Sequence, residues 1–125
     1  MIGYVTLGTA DIEKSSAFYD ALLAELGAKR IMEADTFIAW ATAPTAPAIS
    51  VIKPHDGNAP SVGNGTMVAL GLDAPEKVDV IYKKALELGG TCEGPAGPRG
   101  GGFYAGYFRD LDGNKLNAFC MTAGE

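Results

Sequence analysis

The sequence predicts an α+β fold built from two consecutive βαβββ modules. Three observations carry this prediction: an internal repeat, a strand-then-helix periodicity at the start of each copy, and three further strand-like runs after each helix. Val5-Thr6-Leu7-Gly8 recurs as Val68-Ala69-Leu70-Gly71. The offset is 63 from Tyr4 to Met67 (67 − 4) and from Tyr19 to Tyr82 (82 − 19), and 62 from Gly27 to Gly89 (89 − 27). Two copies are fewer than the three or more that a solenoid needs to bury a continuous core. The expectation is therefore one domain over residues 1–125, with module one at about 1–57 and module two at about 65–122.

Each module opens with period-two alternation. Ile2, Tyr4 and Thr6 point to one side of a strand and Val5 and Leu7 to the other; Met67 and Ala69 against Val68, Leu70 and Leu72 repeat the pattern. The Val and Leu side is expected to pack on helices. Asp11 then offers an N-cap for a helix with Phe18, Ala21, Leu22 and Leu26 on one face, stopped at Gly27. In the second copy Asp73 and Pro75 open the helix, Val78, Ile81, Ala85 and Leu88 form its stripe, and Gly89-Gly90 closes it. The strands that follow are expected at about Lys29–Glu33, Thr36–Thr42 and Ala48–Lys53, then at about Thr91–Glu93, Phe103–Arg109 and Lys115–Met121. Asp110-Leu111-Asp112-Gly113-Asn114 supplies turn chemistry between the last two.

Bulk properties exclude several functions. No apolar run approaches the roughly 20 residues of a spanning helix, and the N-terminus lacks a basic, apolar leader, so a cytoplasmic location is expected. A net charge of −5 argues against nucleic acid, whose phosphates demand clustered Lys and Arg. Cys92 and Cys120 form no disulfide framework or metal knuckle and are expected as free buried thiols. His55, the single histidine, falls in a Lys53-Pro54-His55-Asp56-Gly57 turn and reads as a surface-loop residue. Asp110-x-Asp112-Gly113 has its glycine two places early for a calcium loop, which leaves a hairpin turn. Gly94–Gly102 reads as a flexible connection before the seventh strand.

The order of elements, together with Tyr4-Val5-Thr6-Leu7, Ser16-Ala17-Phe18-Tyr19, Gly65-Thr66 and above all Tyr104 to Leu116 with its Asp110-Leu111-Asp112-Gly113-Asn114 turn, resembles the vicinal oxygen chelate superfamily. This is the group of glyoxalases, bleomycin-resistance proteins and extradiol dioxygenases, and the resemblance spans essentially the whole chain. It implies an open, cup-shaped mixed sheet with helices outside, a small-molecule ligand in the cup, and a homodimer. It also implies four positions that in the family's enzymes ligate a divalent metal, commonly through His and Glu. Here they hold Tyr4, Ser50, Met67 and Asn117, and a phenol, a hydroxyl, a thioether and a carboxamide lack the charge or imidazole that such an ion needs. No metal and no other cofactor is therefore expected.

If Tyr4 and Asn117 point into the cup, alternation places Thr6, Ser50, Ile52, Met67, Ala69, Lys115 and Phe119 beside them, with Trp40, Tyr107 and Arg109 as further candidates. The candidate ligand-binding set is Tyr4, Thr6, Trp40, Ser50, Met67, Tyr107, Lys115, Asn117 and Phe119. Arg109 reads rather as a residue that ties the Asp110 turn, and Lys115 as an anion holder, a base or a solvated tip. Three functions fit: a protein that binds a small molecule without metal chemistry, which is favoured; a lyase or dioxygenase of the same superfamily; and a scaffold with a filled cup. Catalytic residues are not assigned.

Overall fold

The computed structural model describes residues 1–122. The chain divides into two compact units, one ending at Gly63 and the other beginning at Asn64, and each carries the order βαβββ.

In the first unit β1 (Tyr4–Gly8), α1 (Ile12–Ala24), β2 (Lys29–Glu33), β3 (Phe37–Ala41) and β4 (Ala48–Ile52) form a sheet of order β1-β4-β3-β2. β1 runs parallel to β4 and the other pairs are antiparallel. Asp11 caps α1 as its sequence position predicts, its Oδ1 accepting from the Lys14 N–H at 3.1 Å, a contact of the kind worth about 1 kcal/mol. The helix stops before Gly27, whose φ of +77° is left-handed backbone that glycine adopts without a Cβ clash. Phe18, Tyr19, Leu22 and Leu23 are buried on α1, which packs against β2, β3 and β4.

The second unit repeats the plan with β5 (Val68–Gly71), α2 (Pro75–Glu87), β6 (Thr91–Pro98), β7 (Phe103–Arg109) and β8 (Lys115–Met121), in the order β5-β8-β7-β6. β5 is parallel to β8. Pro75 sits in the first turn of α2, where its missing N–H costs nothing. Asp73 does not cap the helix: the N-cap is Ala74, without a side-chain bond, and Asp73 instead pairs with Lys77 at 2.7 Å. Val78, Ile81 and Ala85 are buried on α2, and Phe108, Leu116, Ala118 and Cys120 are buried in the sheet that it covers. Gly90 permits the return from helix to strand, since a Cβ there would lie 2.6 Å from the Arg109 carbonyl oxygen and 2.8 Å from that of Ala85.

Two further expectations need correction. β6 does not end at Glu93 but continues to Pro98, so half of the expected flexible connection is strand. Its pairing with β7 shifts register twice, between Cys92 and Gly94 and between Gly94 and Gly97. β6 is an edge strand, and an edge with bulges accommodates Pro95 and Pro98, which a central ladder would reject. Gly100, Gly101 and Gly102, with φ of +95°, +62° and +83°, then make the turn. Only Cys120 is a buried thiol; Cys92 is exposed.

The Asp110 turn forms as read. Asp110 Oδ1 accepts from the N–H groups of Asp112 and Asn114, both at 2.9 Å, and Oδ2 accepts from Asn114 Nδ2 at 3.0 Å. Among the described residues no helix is long and apolar enough to cross a membrane.

Candidate functional site

Strand alternation gives each sheet one face toward its helix and one away from it. In the second unit Tyr82 of α2 lies against Gly106, and Tyr104 donates to Asp79 of α2 at 2.6 Å. The ladder places Tyr104, Gly106 and Phe108 beside Cys120, Ala118 and Leu116, so these residues share the helix side. Ala105, Tyr107 and Arg109 lie beside Phe119, Asn117 and Lys115, and Ala69 lies on the other flank of Asn117, so these line the opposite face. Tyr107, Lys115, Asn117 and Phe119 of the candidate set are thus brought together.

Asn117 is 1% exposed, and its Oδ1 has no hydrogen-bond partner among the described residues. A buried amide oxygen left unpaired costs about 1–3 kcal/mol relative to one that is bonded. Around it the chemistry is cationic and aromatic. Lys115 Nζ lies 5.6 Å from the Tyr107 ring centroid, and the Arg99 guanidinium carbon lies 5.5 Å from the same centroid. Arg99 is held by the carbonyl oxygens of Pro95, at 2.6 Å from Nη2, and Gly97, at 2.9 Å from Nη1. Phe119 packs on Phe103 with centroids 5.6 Å apart. Arg109 is otherwise engaged: its Nε donates to Glu93 at 2.7 Å and its Nη1 to the Gly113 carbonyl at 2.8 Å, so it ties the turn as its sequence context suggests.

In the first unit the face away from α1 carries Thr6, Ser50 and Ala39 side by side. Ser50 is fully buried and satisfied: its Oγ donates to the Val5 carbonyl at 2.9 Å and lies 2.9 Å from Thr6 Oγ1. Tyr4, on the same side of β1, is 65% exposed, with its ring edge-on to Phe37 at 6.5 Å. Trp40 does not belong to this face. The ladder sets it beside Arg30 and Ile49 on the α1 side, where it packs on Tyr19 at 5.5 Å and donates Nε1–H to Asp20 at 2.8 Å. The parity error is one residue: Ala39, not Trp40, pairs with Ser50. Met67 precedes β5 and is 40% exposed, and His55 is exposed in a turn.

The donor chemistry does not fit the family's divalent metal. Ser50 Oγ already makes two hydrogen bonds, and Asn117 offers a neutral oxygen. Among the described residues no group of three or more His, Cys, Asp or Glu could hold a metal ion.

Displaced titrations occur in hydrogen-bonded pairs. The Asp20 carboxyl is lowered chiefly by its hydrogen bond with Arg30, against a smaller opposing effect of burial. Tyr104 is raised by donating to Asp79, and Tyr82 is raised by donating to Cys92 Sγ at 3.0 Å. A cleft of about 540 Å³ between α1 and β2 is lined by Glu13, Asp20, Arg30, Glu33 and Asp35. There Arg30 pairs with both Asp20 and Glu33, so the cleft holds a solvated ion-pair network that supplies much of its own compensation.

Of the residues at the Asn117 face, sequence reasoning missed Arg99. The available signal was a single cation within a run of glycines, which leave a bare strand surface for a long side chain to lie on. A Cβ at Gly94 would come within 3.4 Å of Arg99 Nη2.

Residues 1–118 match the profile of the Glyoxalase/Bleomycin resistance protein/Dioxygenase superfamily. A solved glyoxalase/bleomycin resistance protein from Albidiferax ferrireducens T118 is 33% identical with a TM-score of 0.87, over 98% of this chain and 99% of that one. A hypothetical protein from S. aureus is 25% identical with a TM-score of 0.75, over 96% of this chain and 92% of that one. A fosfomycin resistance protein from Listeria monocytogenes, 21% identical with a TM-score of 0.73 over 98% of this chain and 94% of that one, shares the fold. No curated protein matches. With two βαβββ units and a profile match over nearly its whole length, the chain belongs to the glyoxalase/bleomycin resistance protein/dioxygenase superfamily.

Proposed function

We propose that this chain binds a small molecule on the sheet faces turned away from its helices, without metal chemistry. The observation that carries the reading is Asn117: a buried carboxamide in mid-strand whose oxygen lacks a partner among the described residues, flanked by Tyr107, Lys115 and Phe119. A satisfied core would have paired that oxygen or replaced it with an apolar group. On this reading Met67 adds to the lining in the second unit, and Tyr4, Thr6 and Ser50 form the corresponding face of the first unit, each face taken by itself. Solved relatives named for resistance to bleomycin or fosfomycin support a ligand of small-molecule size. The same reading makes the protein a cytoplasmic homodimer. β1 and β5 each stand at the end of a four-stranded sheet, a position that pairing with a second chain would protect.

The test is elemental analysis of protein purified without chelator, with nickel, zinc, iron and manganese added back, followed by a thermal-shift ligand screen. Absence of stoichiometric metal together with a ligand shift lost in Asn117→Leu supports the reading. A stoichiometric metal overturns it and favours a lyase or dioxygenase. Light scattering on the eluting protein checks the dimer.

A further inference from the structure

Resting on that reading of the second sheet, we infer that the ligand is an anion, a carboxylate or phosphonate, that also presents an O–H or N–H donor. Two cations converge on one ring. Lys115 Nζ and the Arg99 guanidinium both lie within 5.6 Å of the Tyr107 centroid. Among the described residues neither makes an ion pair, although the chain has 15 acidic residues to 10 basic ones. Arg109, on the same face, shows the alternative, since it is neutralised by Glu93. Lys115 and Arg99 each lie against an aromatic ring where Arg109 has a carboxylate. The negative face of Tyr107 attracts each of them, but a quadrupole does not replace a counter-ion. An anion bound beside them does.

Arg99 is also built for this task rather than left to wander. The carbonyl oxygen of Pro95 holds Nη2 and those of Gly97 and, at 3.5 Å, Pro98 hold Nη1, which leaves the Nε–H and one N–H on Nη2 of the planar fork for a ligand. Gly94 leaves room for it: a Cβ there would stand 3.4 Å from Nη2 and 3.3 Å from the Tyr107 ring. The second requirement comes from Asn117. Its unpaired atom is an acceptor, which a bare anion cannot satisfy, so the ligand needs a donor as well as a charge. Phe119 and Phe103 add an apolar flank. Together these describe an aromatic or aliphatic 2-hydroxy or 2-amido acid, or its phosphonate analogue, better than inorganic phosphate or a neutral hydrocarbon.

Three probes separate the terms: mandelate, which has charge and hydroxyl; phenylacetate, which lacks the hydroxyl; and mandelamide, which lacks the charge. Binding to the full chain is read from side-chain and backbone NMR shifts of Tyr107, Asn117 and Phe119. Mandelate is expected to bind roughly tenfold more tightly than mandelamide. Lys115→Met and Arg99→Met should each weaken mandelate by about fivefold to tenfold and leave mandelamide unchanged, with Lys115→Arg restoring the affinity. Asn117→Leu should abolish the preference for mandelate over phenylacetate. Lys115→Gln and Arg99→Gln replace any Met variant that unfolds. If mandelamide matches mandelate while shifting the same resonances, the anion inference falls and small-molecule binding stands. If none of the three probes shifts those resonances, both fall.

Discussion

Ser50 and Asn117 occupy equivalent positions in the two modules, 67 residues apart (117 − 50), and their surroundings differ in one decisive respect. Ser50 lies between Thr6 and Ala39, and its hydroxyl is bonded to Thr6 and to the Val5 carbonyl. Asn117 lies between Ala69 and Tyr107, and its carboxamide oxygen is unpaired among the described residues. The repeat preserved the strand, the register and the burial while the polar chemistry diverged. In module one the polar group at this position closes on itself; in module two it is left for something else to complete, and its ladder neighbour Tyr107 carries Lys115 and Arg99 against its ring, neither of them in an ion pair among the described residues.

The largest effect that sharpens this comparison belongs to module one's helix side. Trp40→Ala should cost about 4 kcal/mol in urea unfolding, because a fully buried indole leaves a cavity. The milder Trp40→Phe should leave mandelate binding unchanged. A binding loss in Trp40→Phe would return Trp40 to the ligand face and break the division drawn here.

Next comes the glycine stop of each helix. Gly90→Ala should cost about 3 kcal/mol, since its Cβ would overlap two backbone oxygens. Gly27→Ala should cost about 1 kcal/mol, because its left-handed backbone is strained but nothing lies within 4 Å of its Cβ. Equal losses would mean that the module-two return is not the tighter one.

The Ser50/Asn117 contrast itself predicts changes of opposite sign. Ser50→Ala removes a satisfied buried hydroxyl and should destabilise by about 1 kcal/mol, whereas Asn117→Leu removes an unsatisfied one-sided amide and should stabilise by about 1 kcal/mol. If Asn117→Leu is the more damaging of the two, Asn117 has a partner in the folded protein and the site loses its main support.

The smallest effect is in the pH dependence, where the modules differ in which limb they govern. Asp20 in module one has a folded pKa below its ordinary 3.8, so its contribution is present above that value and is lost as pH falls through the lower folded value. Asp20→Asn should flatten the acid limb of the stability curve. Tyr104 in module two has a folded pKa above its ordinary 10.0, so its contribution is present below 10 and is lost as pH rises through the folded value. Tyr104→Phe should flatten the alkaline limb. Either substitution acting on the opposite limb would refute its assigned pair.

The order βαβββ twice over was legible in the chain because it rests on local signals. Asp11, Pro75 and the glycine stops mark helix ends, period-two alternation marks β1 and β5, and Asp110 to Asn114 spell out a turn that its own side chains close. The membership of Tyr107, Lys115, Asn117 and Phe119 in one face was equally readable, since β7 and β8 join through that short turn and parity carries across it. Parity failed at Trp40 because residues 42–47 between β3 and β4 spell out no such self-closing turn, and alternation within one strand does not say which residue of the next stands opposite. Arg99 was hidden for a different reason. Its role depends on β6 continuing through two register shifts, and glycines and prolines that read locally as a connection become an edge strand only when β7 supplies the other half of the ladder. Local propensity and spacing thus determined the elements and their order. Whether a buried polar atom finds a partner, and which cations gather on one ring, depends on side chains distant in sequence meeting at fixed distances, and only the tertiary structure decided that.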